Sequence, residues 1–154
     1  MKLTIREWTK ADVPQILGLL SEMASANGHE FKKDLASAEE QYDWISKQPE
    51  TYKAFVCAEN SEILGFISLV FYHSILHRKG SALINELVVK KTEKGKGIGK
   101  KLLRHAIEYS QTGGWDEIEV GVESFNVYFF AHYSGIFRLS FPAARRTMPA
   151  GGRV

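Results

Sequence analysis

The residues with the clearest potential for chemistry are three glycines, Gly95, Gly97 and Gly99, set among six lysines that lie between positions 90 and 101. An apolar run typical of a β-strand precedes the glycines, and an apolar pattern of helical spacing follows them. A helix N-terminus presents unpaired N–H groups and the positive end of the helix dipole, so this turn can hold an anion. The pattern predicts a phosphate or pyrophosphate site, with a solvated basic loop as the alternative.

Two familiar phosphate-binding loops do not fit these residues. The P-loop requires Gly-x-x-x-x-Gly-Lys followed by Ser or Thr, but Lys101 follows Gly99-Lys100, and Lys94 stands where the first glycine belongs. The dinucleotide fingerprint Gly-x-Gly-x-x-Gly would need a glycine at Lys100 or Leu102. The sequence therefore excludes both loops.

The stretch Lys94–Gly99 resembles the coenzyme A pyrophosphate loop of the GNAT N-acetyltransferase superfamily, written Arg/Gln-x-x-Gly-x-Gly/Ala. Lys94 stands where the family has Arg or Gln, which keeps the charge but loses bidentate geometry. The resemblance implies an acetyl-CoA-dependent N-acetyltransferase that moves an acetyl group to a primary amine by direct attack on the thioester, with no metal. The loop residues implied as cofactor contacts are Lys94, Gly95, Lys96, Gly97, Ile98, Gly99 and Lys100.

Glu86 is the candidate general base for that transfer. An alkyl amine has a pKa near ~10.4, so it must lose a proton before it can attack a thioester. Strand alternation predicts that the Glu86 side chain shares a face with Ile84 and Val88, whose apolar surroundings would raise the pKa of the carboxyl. In many family members an acid on this strand is the base. A glutamate on a wet strand face or in a structural ion pair is the alternative.

The resemblance also assigns roles to backbone groups and to a tyrosine. The backbone positions that it implies for the thioester and the pantetheine arm are Leu87, Val88 and Val89, one of whose N–H groups would stabilise the oxyanion. Asn126 and Tyr133 resemble the family segment Asn-x-x-Ala…Tyr-x-x-x-Gly-Phe, although the spacing departs from it here. Tyr133 is the candidate acid for the leaving thiolate, and Tyr128 is a rival for that role.

The predicted elements follow one another as a strand, two helices, three antiparallel strands, and then alternating helices and strands. The predicted ranges are a helix from Asp12 to Asn27-Gly28 with a buried stripe of Val13, Ile16, Leu17, Leu20 and Met23, a helix over 36–47, strands Tyr52–Glu59, Ile63–Tyr72, Ala82–Val89 and Glu117–Val122, and a helix over 126–133. This order resembles the GNAT fold, an α+β fold with a mixed, mostly antiparallel central sheet flanked by about four helices. We expect one N-acetyltransferase domain over 1–141 and an irregular basic tail over 142–154.

Composition limits the classes of function. The chain has 154 residues, 44% apolar and 25% charged, with a net charge of +2, which suits a soluble domain and suggests no nucleic-acid partner. No apolar run approaches the length of a membrane span. The lone Cys57, inside an apolar run, excludes an internal disulfide and suits a reducing compartment, so a cytoplasmic protein is expected. His73 and His77 lie between strands and predict no metal site.

Acidic residues are concentrated in residues 22–50, which hold seven acids and three lysines. In the family, the first two helices and the loop between them wall the acceptor site, so Glu30, Asp34, Glu39 and Glu40 are expected to favour a cationic amine. The alternative is that these acids only keep a helix soluble. The resemblance implies a small amine or peptide amine as substrate, and a homodimer as a candidate assembly. A coenzyme-A-binding module with lost or weak transferase activity is the alternative function.

Overall fold

Six strands form one sheet in the computed structural model, which describes residues 2–122 and the backbone of residues 135–140. The strands lie side by side in chain order: β1 (Leu3–Glu7), β2 (Tyr52–Glu59), β3 (Glu62–Tyr72), β4 (Ser81–Val89), β5 (Glu117–Val122) and β6 (Gly135–Ser140). Neighbouring strands are antiparallel, except that β4 and β5 are parallel. The predicted mixed, mostly antiparallel sheet is confirmed.

Three α-helices lie in the described part of the chain: α1 (Val13–Ala26), α2 (Leu35–Ile45) and α3 (Ile98–Thr112). The second helix begins one residue earlier than predicted because Asp34 caps it, with its carboxylate accepting the Ser37 N–H at 2.8 Å. The predicted helix over 126–133 and the predicted tail over 142–154 lie outside the described residues.

The two faces of the sheet pack against different helices. One face, here called the α3 face, carries the cluster Leu64, Ile67, Leu69, Ala82, Ile84, Ile118 and the α3 residues Ile98, Leu102 and Ala106. The opposite face, here called the α1 face, carries Ala54, Val56, Phe66, Val88 and the α1 residues Ile16 and Leu19. Burial of large apolar side chains, each worth about 1.5–3 kcal/mol, thus stabilises both faces and holds β4 between two helical layers.

The buried side of α1 agrees only in part with the predicted stripe. Val13, Ile16 and Leu19 are buried, whereas the predicted Leu17, Leu20 and Met23 are half-buried. A 3₁₀ turn over Lys10–Asp12 precedes the helix, and the Asp12 carboxylate accepts hydrogen bonds from Arg6 and from Thr9 instead of capping α1. These hydrogen bonds tie the turn before α1 to β1, a contact that the apolar pattern of α1 does not indicate.

Candidate active site

The sheet opens between β4 and β5 beyond their first four paired residues. The parallel ladder joins Ser81–Ile84 to Glu117–Val120, and β4 then continues to Val89. On its other edge β4 remains paired with β3 as far as Val89, opposite Gly65. Within the described residues, the last part of β4 therefore has a strand partner on one edge and an opening on the other.

Backbone direction identifies which residues of β4 face this opening. The Lys90 N–H donates to the Leu64 carbonyl on β3 at 2.9 Å. Successive residues of a strand direct their N–H and C=O groups to opposite edges, so Val88 is oriented like Lys90, toward β3. Leu87 and Val89 consequently direct their backbone groups toward the opening, as a groove that holds an extended ligand requires.

A β-bulge in β4 determines where Glu86 points. Ser68 pairs with Glu86 and Leu69 pairs with Ile84, so Asn85 is an extra residue on β4. The bulge reverses the alternation: Ile84 packs on the α3 face, whereas Val88 packs on the α1 face. The prediction that Glu86 shares a face with Val88 agrees with this arrangement. The prediction that it also shares a face with Ile84 was wrong, because it assumed an unbroken strand.

The Glu86 side chain is half-buried and lies in a small polar group on the α1 face. The Ser68 hydroxyl donates to its carboxylate, and the Glu86 N–H donates to the Ser68 Oγ at 3.1 Å. Burial raises the pKa of the Glu86 carboxyl above its ordinary value, against a smaller lowering by a hydrogen bond from Asn85. Burial, together with the charge of Glu86, also raises the pKa of Tyr52. The carboxylate is therefore poised to take up a proton more readily than an exposed one.

A cleft of about 150 Å³ adjoins this polar group through Tyr52, which lines it. The other walls include Trp8 and Tyr42, whose ring centroids are 4.7 Å apart in an edge-to-face arrangement. Lys53 and Glu7, also in the lining, form an ion pair of 2.7 Å. The cleft is therefore aromatic, with its two opposite charges paired to each other.

The glycine loop joins β4 to α3 at the same end of the sheet as the opening. Gly95 and Gly97 have φ angles of +83° and +84°, which side chains with a Cβ rarely adopt. Apart from the glycine itself, its two chain neighbours and nearby helix backbone, no atom lies within 4 Å of the place where a Cβ would stand at either position. Gly97 is the N-cap of α3, and its carbonyl accepts the Lys101 N–H at 3.1 Å. Open space over a helix N-terminus fits the approach of a pyrophosphate to the main chain.

At least two of the six lysines around this loop are engaged in ion pairs. Lys96 contacts the Glu93 carboxylate at 3.0 Å, and Lys90 pairs with Glu62. Lys100 and Lys101 are exposed on the first turn of α3. The positive field at the loop therefore comes from fewer lysines than the sequence suggested, supplemented by the helix dipole.

Two of the predicted site residues, Asn126 and Tyr133, and the rival Tyr128 lie in a part of the chain that the structure does not describe. His77 contacts the buried Glu117 through Nε2 at 3.0 Å, far along β4 from the glycine loop. In the described ranges 2–122 and 135–140, no three His, Cys, Asp or Glu side chains gather as a metal site.

Sequence reasoning missed Ser68. This serine is 0% exposed and lies inside the apolar strand β3, between Ile67 and Leu69. Buried hydroxyls are nearly always hydrogen-bonded, so a single serine within an apolar strand signals a polar partner on an adjacent strand. That signal was available in the sequence, although it could not have named Glu86 as the partner.

Two of the acidic residues in the region 22–50 make local hydrogen bonds or ion pairs that the composition alone did not indicate. Asp34 caps α2, and hydrogen bonds from Ser37 lower the pKa of its carboxyl. Glu30 lies 3.1 Å from Lys32 in an exposed ion pair. Of the four acids predicted to attract a cationic acceptor, Glu39 and Glu40 have no ion pair within the described residues.

Comparison with known proteins agrees with this architecture. The chain matches the acetyltransferase (GNAT) family over residues 14–132. An uncharacterized N-acetyltransferase of Methanocaldococcus jannaschii is 32% identical over 124 residues, which cover 79% of this chain and 54% of that protein. The chain thus spans about half the length of this curated relative.

Solved structures of similar fold include two acetyltransferases. Glucosamine-6-phosphate N-acetyltransferase from Arabidopsis thaliana has a TM-score of 0.72 at 16% identity, covering 92% of this chain and 99% of its own. PaiA N-acetyltransferase from Thermoplasma acidophilum, in complex with coenzyme A, has a TM-score of 0.62 at 20% identity, with 82% of each chain covered. No helix in the described part of the chain is long and apolar enough to cross a membrane. The family match, which covers more than half of the chain, establishes that this protein belongs to the acetyltransferase (GNAT) family.

Proposed function

We propose that this protein is an acetyl-CoA-dependent N-acetyltransferase that acetylates a primary amine. The observation that carries the proposal is the junction of three features at one end of β4: the opening beside β5, the glycine turn before α3, and the half-buried Glu86. Family membership supports acetyl-CoA as the acetyl donor, and the Thermoplasma acidophilum protein of similar fold is in complex with coenzyme A.

The glycine loop is the proposed site of the pyrophosphate. The N–H groups at the start of α3 and the main chain of residues 94–99 would donate to its oxygens, and the exposed Lys100 adds charge. Leu87 and Val89 would pair with the pantetheine arm, because their backbone groups face the opening. Val88 would contribute to this site by keeping β4 paired with β3.

The proposed chemistry is a direct transfer. Bound acetyl-CoA supplies an acetyl group activated as a thioester. Glu86, directly or through water, takes a proton from the acceptor amine so that its nitrogen can bond to the carbonyl carbon as the carbon–sulfur bond breaks. A backbone N–H on the open edge of β4 stabilises the negative charge that develops on the carbonyl oxygen. Tyr133 remains the proposed proton donor to the leaving thiolate, with Tyr128 as its rival.

The proposal is tested by thiol release from acetyl-CoA against a broad panel of amines. The expected result is release that depends on one class of amine and yields an acetylated product by mass spectrometry. Binding of acetyl-CoA is measured in parallel by calorimetry. Binding without release for any amine would favour the coenzyme-A-binding module, and absence of both would contradict the proposal.

A further inference from the structure

Ser68 is the polar residue of β3 that contacts the proposed base. It has no exposed surface, and its strand is otherwise apolar from Ile63 to Phe71. An apolar residue at such a position would pack without the cost of burying a hydroxyl. The side chain is therefore best explained by the hydrogen bonds that it makes.

The two hydrogen bonds of Ser68 hold both ends of one residue. Its hydroxyl donates to Oε2 of the Glu86 carboxylate and accepts the Glu86 N–H at 3.1 Å. The N–H is available to a side chain because the bulge at Asn85 shifts the β3–β4 register at this point. Backbone and carboxylate of Glu86 are consequently fixed to a single atom, which restricts the rotation of its side chain.

Tyr52 on β2 completes this group. Burial and the charge of Glu86 raise the pKa of Tyr52, and the nearby Ser68 hydroxyl lowers that pKa to a smaller extent. A serine hydroxyl has one proton and two lone pairs. Because Ser68 gives its proton to the Glu86 carboxylate, its oxygen is free to accept the Glu86 N–H. Tyr52 is the titratable group that faces Glu86 from β2, while Ile16 and Leu19 on the facing side of α1 are apolar.

We propose that Ser68 is a positioning residue for the base: its hydroxyl fixes the Glu86 carboxylate so that it meets the acceptor amine, or a water bound to that amine, in one orientation. This role rests on the proposed function. Precise placement of a catalytic group contributes to the rate, and an error of about 1 Å can cost about a hundredfold. Ser68 touches no reacting atom in this account and acts only through Glu86.

The test compares Ser68→Ala with Ser81→Ala. Ser81 is a matched control because it is also 0% exposed and donates to a glutamate, Glu117, at 2.9 Å. Ser68→Ala is expected to lower kcat on the order of ten- to a hundredfold, with the KM for acetyl-CoA unchanged. The acidic limb of its pH–rate profile should move to higher pH, since a donor that favours the charged carboxylate is lost. Ser81→Ala should lower stability and change neither kcat nor the limb.

A conservative variant separates the hydroxyl from the packing. Ser68→Thr keeps the hydroxyl on a β-branched side chain that strands accept, so it should recover most of kcat and return the limb toward wild type. If Ser68→Ala is too unstable to measure, Ser68→Cys takes its place. Cysteine is close in shape to serine but is a weak hydrogen-bond donor, so this variant should show the same loss of kcat and the same shift of the acidic limb.

The outcomes distinguish this role from the proposed function itself. A wild type that releases no thiol with any amine overturns the transferase activity and this role with it. An active wild type whose Ser68→Ala or Ser68→Cys variant has unchanged kcat and an unchanged acidic limb overturns the role of Ser68 alone. If Ser68→Thr loses as much kcat as Ser68→Ala, the effect comes from packing and not from the hydroxyl, and the role of Ser68 is likewise overturned.

Discussion

The two ends of β4 each hold a serine hydrogen-bonded to a glutamate on the same side of the sheet, but the pairs differ in their surroundings. At the closed end, Ser81 and His77 both contact the buried Glu117, at 2.9 and 3.0 Å, where β4 and β5 are paired. At the open end, Ser68 contacts Glu86, which has no ion pair within the described residues.

This difference indicates which carboxylate is available for chemistry. Glu117 on β5 contacts Ser81 on β4 and His77 in the loop before β4, so it holds the two strands and this loop together. A glutamate that burial disfavours as an anion, beside an opening, can gain and lose a proton as part of a reaction. The closed end of β4 is thus suited to stability, and the open end to the proposed proton transfer.

The largest expected effect comes from replacing each glutamate by glutamine. Glu86→Gln should lower the rate at neutral pH by about 10² to 10⁴-fold, the usual contribution of a general base, and by less at high pH, where free amine is plentiful. Glu117→Gln should leave kcat within a few-fold of wild type in the folded protein. Steady-state thiol release at pH 7 and at pH 9.5 measures both, and equal losses in the two variants would refute the comparison.

The same two substitutions should affect stability in opposite directions. The folded-state pKa of Glu86 is raised, so its contribution to stability is present below the unfolded pKa, about 4.3, and is lost as pH rises through the folded value. At neutral pH the buried charge therefore destabilises the fold. Glu86→Gln should raise the free energy of unfolding at pH 7, and the gain should disappear near pH 4.

For Glu117→Gln, loss of a charged acceptor for Ser81 and His77 should lower the free energy of unfolding by about 1.5–3 kcal/mol. Denaturant unfolding of both variants at pH 7 and pH 4 measures these differences. A destabilised Glu86→Gln protein at pH 7 would mean that Glu86 is a structural residue like Glu117.

Two glycines with similar backbone angles lie in loops at the two ends of α3. Gly97, at the open end, and Gly114, between α3 and β5, have φ angles of +84° and +80°. Valine at either position introduces similar backbone strain, and at Gly114 the nearest crowding is the flexible Lys79 side chain at 3.2 Å. Gly97→Val should weaken acetyl-CoA binding at least tenfold, about 1.4 kcal/mol, whereas Gly114→Val should not. Equal affinities by calorimetry would argue against the pyrophosphate loop.

The smallest expected effect concerns the acidic region near α2. Asp34 caps α2, and Glu30 forms an ion pair. Glu39 and Glu40 are therefore the two predicted acids still available to attract a cationic acceptor. A Glu39→Gln, Glu40→Gln double variant should reduce the preference for a cationic over an acidic acceptor only a few-fold. The difference should fade as salt rises, because exposed charges are screened beyond roughly 10 Å at 0.1 M. A preference for the acidic acceptor, or one indifferent to salt, would show that these acids are only surface residues.

The sequence predicted the scaffold well because regular periodicity determines it. The bounds of β2 and β5 were predicted to the residue. The family resemblance was equally readable, because the glycine turn is a local pattern that needs no tertiary contact to recognise.

The details of the site were less predictable because they depend on departures from periodicity. The bulge at Asn85 moves Ile84 to the other face from Glu86, and no residue type marks it. The contact between Ser68 and Glu86 joins residues 18 positions apart across that bulge. Likewise, the hydrogen bond from Arg6 to Asp12, which ties the preceding 3₁₀ turn to β1, is a tertiary contact that no local pattern marks.

The most direct test of proton transfer at Glu86 is the pH dependence of kcat/KM for wild type, Glu86→Gln and Glu117→Gln with one reactive amine. We expect wild type and Glu117→Gln to share an acidic limb set by a carboxyl whose pKa burial has raised. We expect Glu86→Gln to lack this limb and to follow the ionisation of the amine alone. An acidic limb that survives in Glu86→Gln, or that disappears in Glu117→Gln, would contradict the assignment of proton transfer to the open end of β4.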